Sequence, residues 1–323
     1  THSDSSAASD VYKRQEAHRY PDGNGTKLKQ EISRLEGVPL DSITLGNGSN
    51  DLIEFSARAF LTNGDNALYF KHGFAIYPLA ILATGADLRE LPVTENYHQD
   101  LTSVINFVDK KSKVVFIASP NNPTGSANTF SEIEAMLNDL PNDLIVFLDQ
   151  AYFEYIEDEQ YKLPFDLIDK YQNLIISRSF SKAHGLAAYR LGYSISSQKI
   201  ADYLNRVRQP FNVSSFALEA GIASLNDKEH LRKSVDLNQR EKNKLMQFFK
   251  KENIEYLPTQ GNFFSFSLDT DSDETFEAFL NEGIILRSLK SYNMDRFVRV
   301  SIGQEFENDA FIEAAKKIKG SRN

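Results

Sequence analysis

An alternation restricts the fold more than any other feature. From about residue 43, short runs rich in Val, Ile, Leu and Phe are separated by amphipathic stretches. The runs at 66–70, 113–118, 144–148, 173–177 and 191–196 have the length and composition of strands. They are almost continuously hydrophobic, as strands covered on both faces are. Helical patterns at 50–61, 77–84 and 131–140 lie between them. This order predicts a mostly parallel sheet wrapped by helices.

After Pro210 the texture changes. Long polar-amphipathic helical patterns cover 215–225 and 228–252. Strand patterns follow at 254–257, 263–268, 284–286 and 297–302, with a helix at 273–282 and a last one from Asn308. A second, smaller α/β domain is expected there. A length of 323 residues suits one large domain and one smaller one.

Bulk properties exclude several classes. A net charge of −9, with no basic block interleaved with aromatics, argues against a nucleic-acid surface. The absence of cysteine excludes disulfides and thiolate metal sites, and fits a cytoplasmic home. The six histidines are scattered with no ligand spacing, so no metal is expected. No apolar run reaches the about 18 residues of a membrane span. Residues 5–15 (SSAASDVYKRQ) read as the in-frame translation of a transposon-type sequencing adapter. Residues 1–15 are therefore set aside as an adapter-derived artefact, and the native N-terminus is expected upstream.

Ligands of open parallel sheets bind beyond the carboxyl ends of the strands. Three polar groups fall there: Pro120-Asn121-Asn122-Pro123-Thr124-Gly125 after one run, Asp149 after the next, and Lys182 after a third. Lys182 sits in Ser179-Phe180-Ser181-Lys182-Ala183-His184-Gly185, with Arg190 eight positions on. Its amine can form a Schiff base with an aldehyde cofactor, while Ser179, Ser181 and Arg190 can hold a phosphate. To be nucleophilic, the amine must titrate below the ordinary lysine value of about 10.4. Burial beside Arg190 and the cofactor is expected to lower it.

The remaining groups fit pyridoxal phosphate. A carboxylate at Asp149 suits a pyridinium nitrogen, which makes the ring an electron acceptor. Tyr152 and Asn122 can donate to the ring's phenolate oxygen. Gly46-Asn47-Gly48-Ser49-Asn50-Asp51 runs into a helix, whose first amides form an anion site. Arg299 and Arg287, near the last strands, can grip a substrate carboxylate. Phe74 and Tyr77 could stack on a flat ring or simply pack in a core. Ser179-x-x-Lys182 also matches a serine-nucleophile motif, but its Lys-Thr-Gly companion is missing.

These segments, from about Tyr20 to Gly303, resemble the fold-type I pyridoxal-phosphate aminotransferases. Tyr20-Pro21-Asp22, Gly46-Asn47-Gly48-Ser49 and Pro210-Phe211-Asn212-Val213-Ser214 resemble the histidinol-phosphate aminotransferase branch. The resemblance implies a large domain with a mostly parallel seven-stranded sheet and a smaller C-terminal α/β domain. The expected division is an N-terminal arm at 16–42, a pyridoxal-phosphate domain at 43–215 and a small domain at 216–323. It implies Lys182 as the Schiff-base lysine, Asp149 on the ring nitrogen, and Asn122 and Tyr152 on the ring oxygen. It further implies Phe74 on the ring face, with Ser49, Asn50, Ser179, Ser181 and Arg190 on the phosphate. Arg299 would hold the glutamate carboxylate, with Arg287 near the substrate. Tyr20 would reach the cofactor phosphate of a partner subunit, implying a homodimer.

The implied reaction is transamination between histidinol phosphate and 2-oxoglutarate. An aromatic-amino-acid aminotransferase, a decarboxylase of a phosphorylated amino acid and an inactive cofactor-binding chain remain open. Gln150 stands where the family has glutamate, and Tyr189 where a smaller aliphatic residue is common. An Asn-Glu-Asn-Pro-type segment that lines the family's substrate pocket is missing from this chain.

Overall fold

A computed structural model describes residues 18–320. The adapter-like leader lies outside the described residues. Seven strands form the larger sheet: β1 (Ile43–Gly46), β2 (Asn66–Phe70), β3 (Asp87–Leu91), β4 (Ser112–Ala118), β5 (Ile145–Asp149), β6 (Leu174–Ser179) and β7 (Gly192–Ser196). Their order is β1-β7-β6-β5-β4-β2-β3. Strands β6, β5, β4, β2 and β3 run parallel, while β7 is antiparallel to both neighbours. The sheet is therefore mostly parallel, as its hydrophobic runs predict.

Alternate side chains of each strand feed two cores. Val115, Ile117, Val146 and Leu148 face one side, packing with Leu28 and Ile32 of α1 (Thr26–Glu36) and with Ile133 and Met136. Those last two belong to α4 (Phe130–Asp139), which opens with a Thr129/Glu132 capping box. Val114, Phe116, Ile145 and Phe147 face the other side, against α2 (Ser49–Phe60), α3 (Ile76–Leu82) and α5 (Gln198–Val207).

Two further helices, α6 (Ser215–Asn226) and α7 (Lys228–Lys251), lead to the second unit. It contains β8 (Glu255–Tyr256), β9 (Phe263–Ser267), α8 (Ser272–Asn281), β10 (Arg287–Ser288), β11 (Phe297–Ser301) and α9 (Glu305–Gly320). The strands form an antiparallel sheet in the order β10-β11-β9-β8. Its own core is aromatic, with Phe249, Phe264, Phe266, Phe279 and Phe311 buried together.

Strand β1 and helices α1 and α5 match no pattern singled out in the sequence, and three further elements differ from expectation. The strand expected at 284–286 is not formed, and β10 begins at Arg287. The Ile284 N–H is already committed to the Phe279 carbonyl, closing α8 through Gly283 at φ 79°. Strand β3 has no hydrophobic run, since Asp87, Leu88 and Glu90 are exposed on the sheet edge. The last helix begins at Glu305, three residues before Asn308.

Candidate active site

The carboxyl ends of β4, β5 and β6 open into a cavity of about 180 Å³. Ten of the residues given a cofactor role from sequence line it, Ser49, Asn50, Phe74, Asn122, Asp149, Tyr152, Ser179, Ser181, Lys182 and Arg190, together with Tyr77. They come from five separate stretches of chain. The parallel register makes this possible, because Ala118, Asp149 and Ser177 are direct neighbours across β4, β5 and β6.

Asp149 is buried at the end of β5. Its Oδ1 accepts from the Ala151 N–H at 3.1 Å and the Ser177 hydroxyl at 3.2 Å. Its Oδ2 accepts from the Tyr77 hydroxyl at 3.1 Å. Burial pushes this carboxyl above the usual range, and the three hydrogen bonds and Lys182 pull it back. Tyr77 is the residue whose role the sequence conceals. Its ring stacks on Phe116 at 5.3 Å, and its hydroxyl crosses 72 positions of sequence to reach Asp149.

The Lys182 amine lies 5.2 Å from the centre of the Tyr152 ring. Burial lowers its pKa, and the Arg299 guanidinium lowers it further; Asp149 opposes them, and Arg190 adds a smaller push downward. The expected depression is thus present, with Arg299 ahead of Arg190 as its charged cause. Burial holds the Tyr152 hydroxyl protonated, a ready donor. Its ring meets Phe263 of β9 edge-on at 5.3 Å.

The corner expected to take an anion is built from backbone. Gly48 precedes α2 at φ 82° and supplies no side-chain cap, so the first amides of the helix are left for another acceptor. A Cβ at Gly48 would lie 2.2 Å from Arg190 Nη2. Arg190 itself is left-handed at φ 55°. It donates to the Ala187 carbonyl at 3.1 Å and the Ser181 hydroxyl at 3.4 Å. Ser179 Oγ accepts from the Ser181 N–H at 3.1 Å, which fixes the turn before Lys182.

The two arginines of the smaller sheet differ in their contacts with the cavity residues. Arg299 donates from Nη1 to the side-chain oxygen of Asn122, and its buried Nε has no partner. Arg287 is exposed and pairs across β10 and β11 with Arg299. Both arginines line a neighbouring surface groove, and neither lines the cavity itself. Tyr20 is not in the cavity either. It is 83% exposed, stacked on Phe211 at 4.8 Å. Gln150 is buried off the cavity and accepts from Arg178 Nε at 3.1 Å.

The chain compares closely with known proteins. The family model described as aminotransferase class I and II matches residues 5–314. Histidinol-phosphate aminotransferase 2 of Haemophilus influenzae is 44% identical over 300 residues, covering 93% of this chain and 82% of that protein. The Pseudomonas aeruginosa protein of the same name is 43% identical over 303 residues, with 94% and 82% covered. Among solved structures, the Sinorhizobium meliloti histidinol-phosphate aminotransferase in complex with pyridoxal-5'-phosphate superposes with a TM-score of 0.90 at 24% identity. That match covers 99% of this chain and 88% of the other. With the family model spanning most of its length and relatives above 40% identity over more than nine-tenths of it, the chain belongs to the aminotransferase class I and II family.

Proposed function

We propose that the protein transfers an amino group between histidinol phosphate and 2-oxoglutarate, using pyridoxal phosphate. The observation that carries the substrate assignment is the 44% identity, over 93% of the chain, to a protein bearing that name. The cavity supports the cofactor. A buried carboxylate, an amine of lowered pKa and an uncapped helix N-terminus beside an arginine match the ring nitrogen, aldehyde and phosphate of that molecule.

When bound, pyridoxal phosphate supplies a sink for the electrons left on the substrate Cα. The chain's own groups do the rest. Lys182 would hold the cofactor's aldehyde carbon until the substrate amine displaces it, and the freed amine would then move the proton between Cα and C4′. Its lowered pKa favours the free amine that this requires. Asp149 holds a proton on the ring nitrogen. Tyr152 and Asn122 donate to the ring oxygen, and Phe74 packs on the ring face. The amides of Ser49 and Asn50, with Ser179, Ser181 and Arg190, grip the phosphate. Arg299 receives the donor carboxylate, and Arg287 stands beyond it along the sheet.

We infer further a homodimer, in which Tyr20 of one copy serves the cavity of the other. Its exposed position, away from the cavity of its own chain, supports this. The division into 43–215 and 216–323 is supported by the separate aromatic core of the second unit. No helix of the described residues is long and apolar enough to cross a membrane, and a biosynthetic role fits a cytoplasmic location.

The test loads the chain with pyridoxal phosphate and follows its visible absorption on adding histidinol phosphate or, separately, phenylalanine. Conversion to the amine form by histidinol phosphate alone is expected. An equal response to phenylalanine transfers the assignment to aromatic amino acids. Carbon dioxide release without a keto product makes the protein a decarboxylase.

A further inference from the structure

Asp149 presents its two oxygens unequally. Each carboxylate oxygen accepts at about two lone-pair positions. On Oδ1 both are taken, by the Ser177 hydroxyl and the Ala151 N–H. On Oδ2 one is taken, by Tyr77. The acceptor position left free therefore lies on the atom that Tyr77 holds, and Asp149 lines the cavity.

Tyr77 is built for this contact. It sits in the first turn of α3, buried, with its ring stacked on Phe116 at an interplanar angle of 13° and edge-on to Phe74 at 85°. Both contacts fix the direction of its hydroxyl. Burial and the neighbouring Asp149 hold that hydroxyl protonated, so it acts as donor and the carboxylate as acceptor. Of the hydrogen bonds that pull the Asp149 pKa down against burial, the one from Tyr77 does so most. A phenylalanine would keep the stacking and lose the bond.

We propose that Tyr77 is a positioning residue that aims Asp149 Oδ2 at the ring nitrogen of the cofactor. The inference rests on the pyridoxal-phosphate reading given above. It is specific to one atom of the ligand, and this makes it testable without turnover.

The experiment titrates the apo-protein with pyridoxal phosphate and with its 1-deaza analogue, in which carbon replaces the ring nitrogen. Wild type, Tyr77→Phe, Asp149→Asn and the double variant are compared. Loss of one charge-assisted hydrogen bond is expected to weaken pyridoxal phosphate binding to Tyr77→Phe by about 10-fold or more. Binding of the deaza analogue should stay within about twofold of wild type, because the bond acts only through the nitrogen. In the Asp149→Asn background, Tyr77→Phe should then change neither affinity. Equal losses for both ligands would mean that Tyr77 only packs the site. An additive loss in the Asp149→Asn background, or no loss at all, would also overturn the proposal. Failure of the wild-type chain to bind pyridoxal phosphate removes the cofactor reading itself, and this inference with it.

Discussion

Arg299 of β11 donates to the side-chain oxygen of Asn122, in the loop after β4, and so joins the smaller sheet to the cavity of the larger one. The contact makes two expected roles interdependent. The residue placed on the ring oxygen and the residue placed on the substrate carboxylate hold each other before any ligand arrives. Ser265 strengthens the same junction by donating to the Pro123 carbonyl at 2.6 Å, and the Gln260 N–H does so by donating to the Gly125 carbonyl at 2.9 Å.

Replacing Arg299 by lysine keeps the charge and loses the planar fork. The KM for glutamate is expected to rise about 100-fold, the cost of about two charge-assisted hydrogen bonds. Cofactor affinity should fall by less than this, through the loosened Asn122 alone. Steady-state kinetics with a parallel cofactor titration checks this, and an unchanged KM would remove Arg299 from the carboxylate site.

Lys182→Ala removes the group assigned both to covalent attachment and to proton transfer. Turnover is expected to fall by at least the about 10²–10⁴-fold typical of a positioned acid–base group. The cofactor should then be removable by dialysis. Retained turnover with added cofactor would refute the assignment.

Gly48→Ala tests the anion corner. An L-residue is strained at φ 82°, at a cost of about 1–3 kcal/mol. The new Cβ would also meet Arg190 Nη2 at 2.2 Å. Because the end of an arginine side chain can swing away, the fold is expected to survive while the phosphate grip does not. Cofactor affinity should fall about 10-fold or more. Pyridoxal, which lacks the phosphate, should bind wild type and variant alike.

What sequence disclosed here follows from where each residue sits. Asp149 and Lys182 each follow an apolar run, and in a parallel sheet the ends of those runs share one edge. Asn122 was legible for the same reason. The role of Tyr77 was not, because a tyrosine at a helical position reads equally as core, and its partner is 72 positions away. Strand β3 escaped because an edge strand needs no apolar run, and its register comes from backbone pairing with β2. The expected strand at 284–286 failed because apolar residues also close helices. There, a backbone hydrogen bond to α8 outweighs the β-branched composition.

Glu154 supplies a pH-dependent test of the floor beneath the site. It lies two residues beyond Tyr152, with its Oε1 3.9 Å from His184 Nε2 and its Oε2 buried without a partner. Burial raises this carboxyl from its ordinary 4.5 to about 7, against the pull of Arg178. Burial, with His230 and Arg178, pushes His184 down to about 4. Between pH 4.5 and about 7 the folded protein therefore keeps a proton on Glu154 that the unfolded chain has lost. Stability from this group is complete below pH 4.5 and is lost as pH rises through about 7. Glu154→Gln cannot ionise, and His184 contributes the same to both proteins. The variant is expected to gain on wild type across that window, by about 3 kcal/mol at most, and to hold the gain above it. Urea unfolding at pH 5 and pH 8 measures the change. A gap that stays constant, or grows in favour of wild type, would show that Glu154 is ionised in the fold.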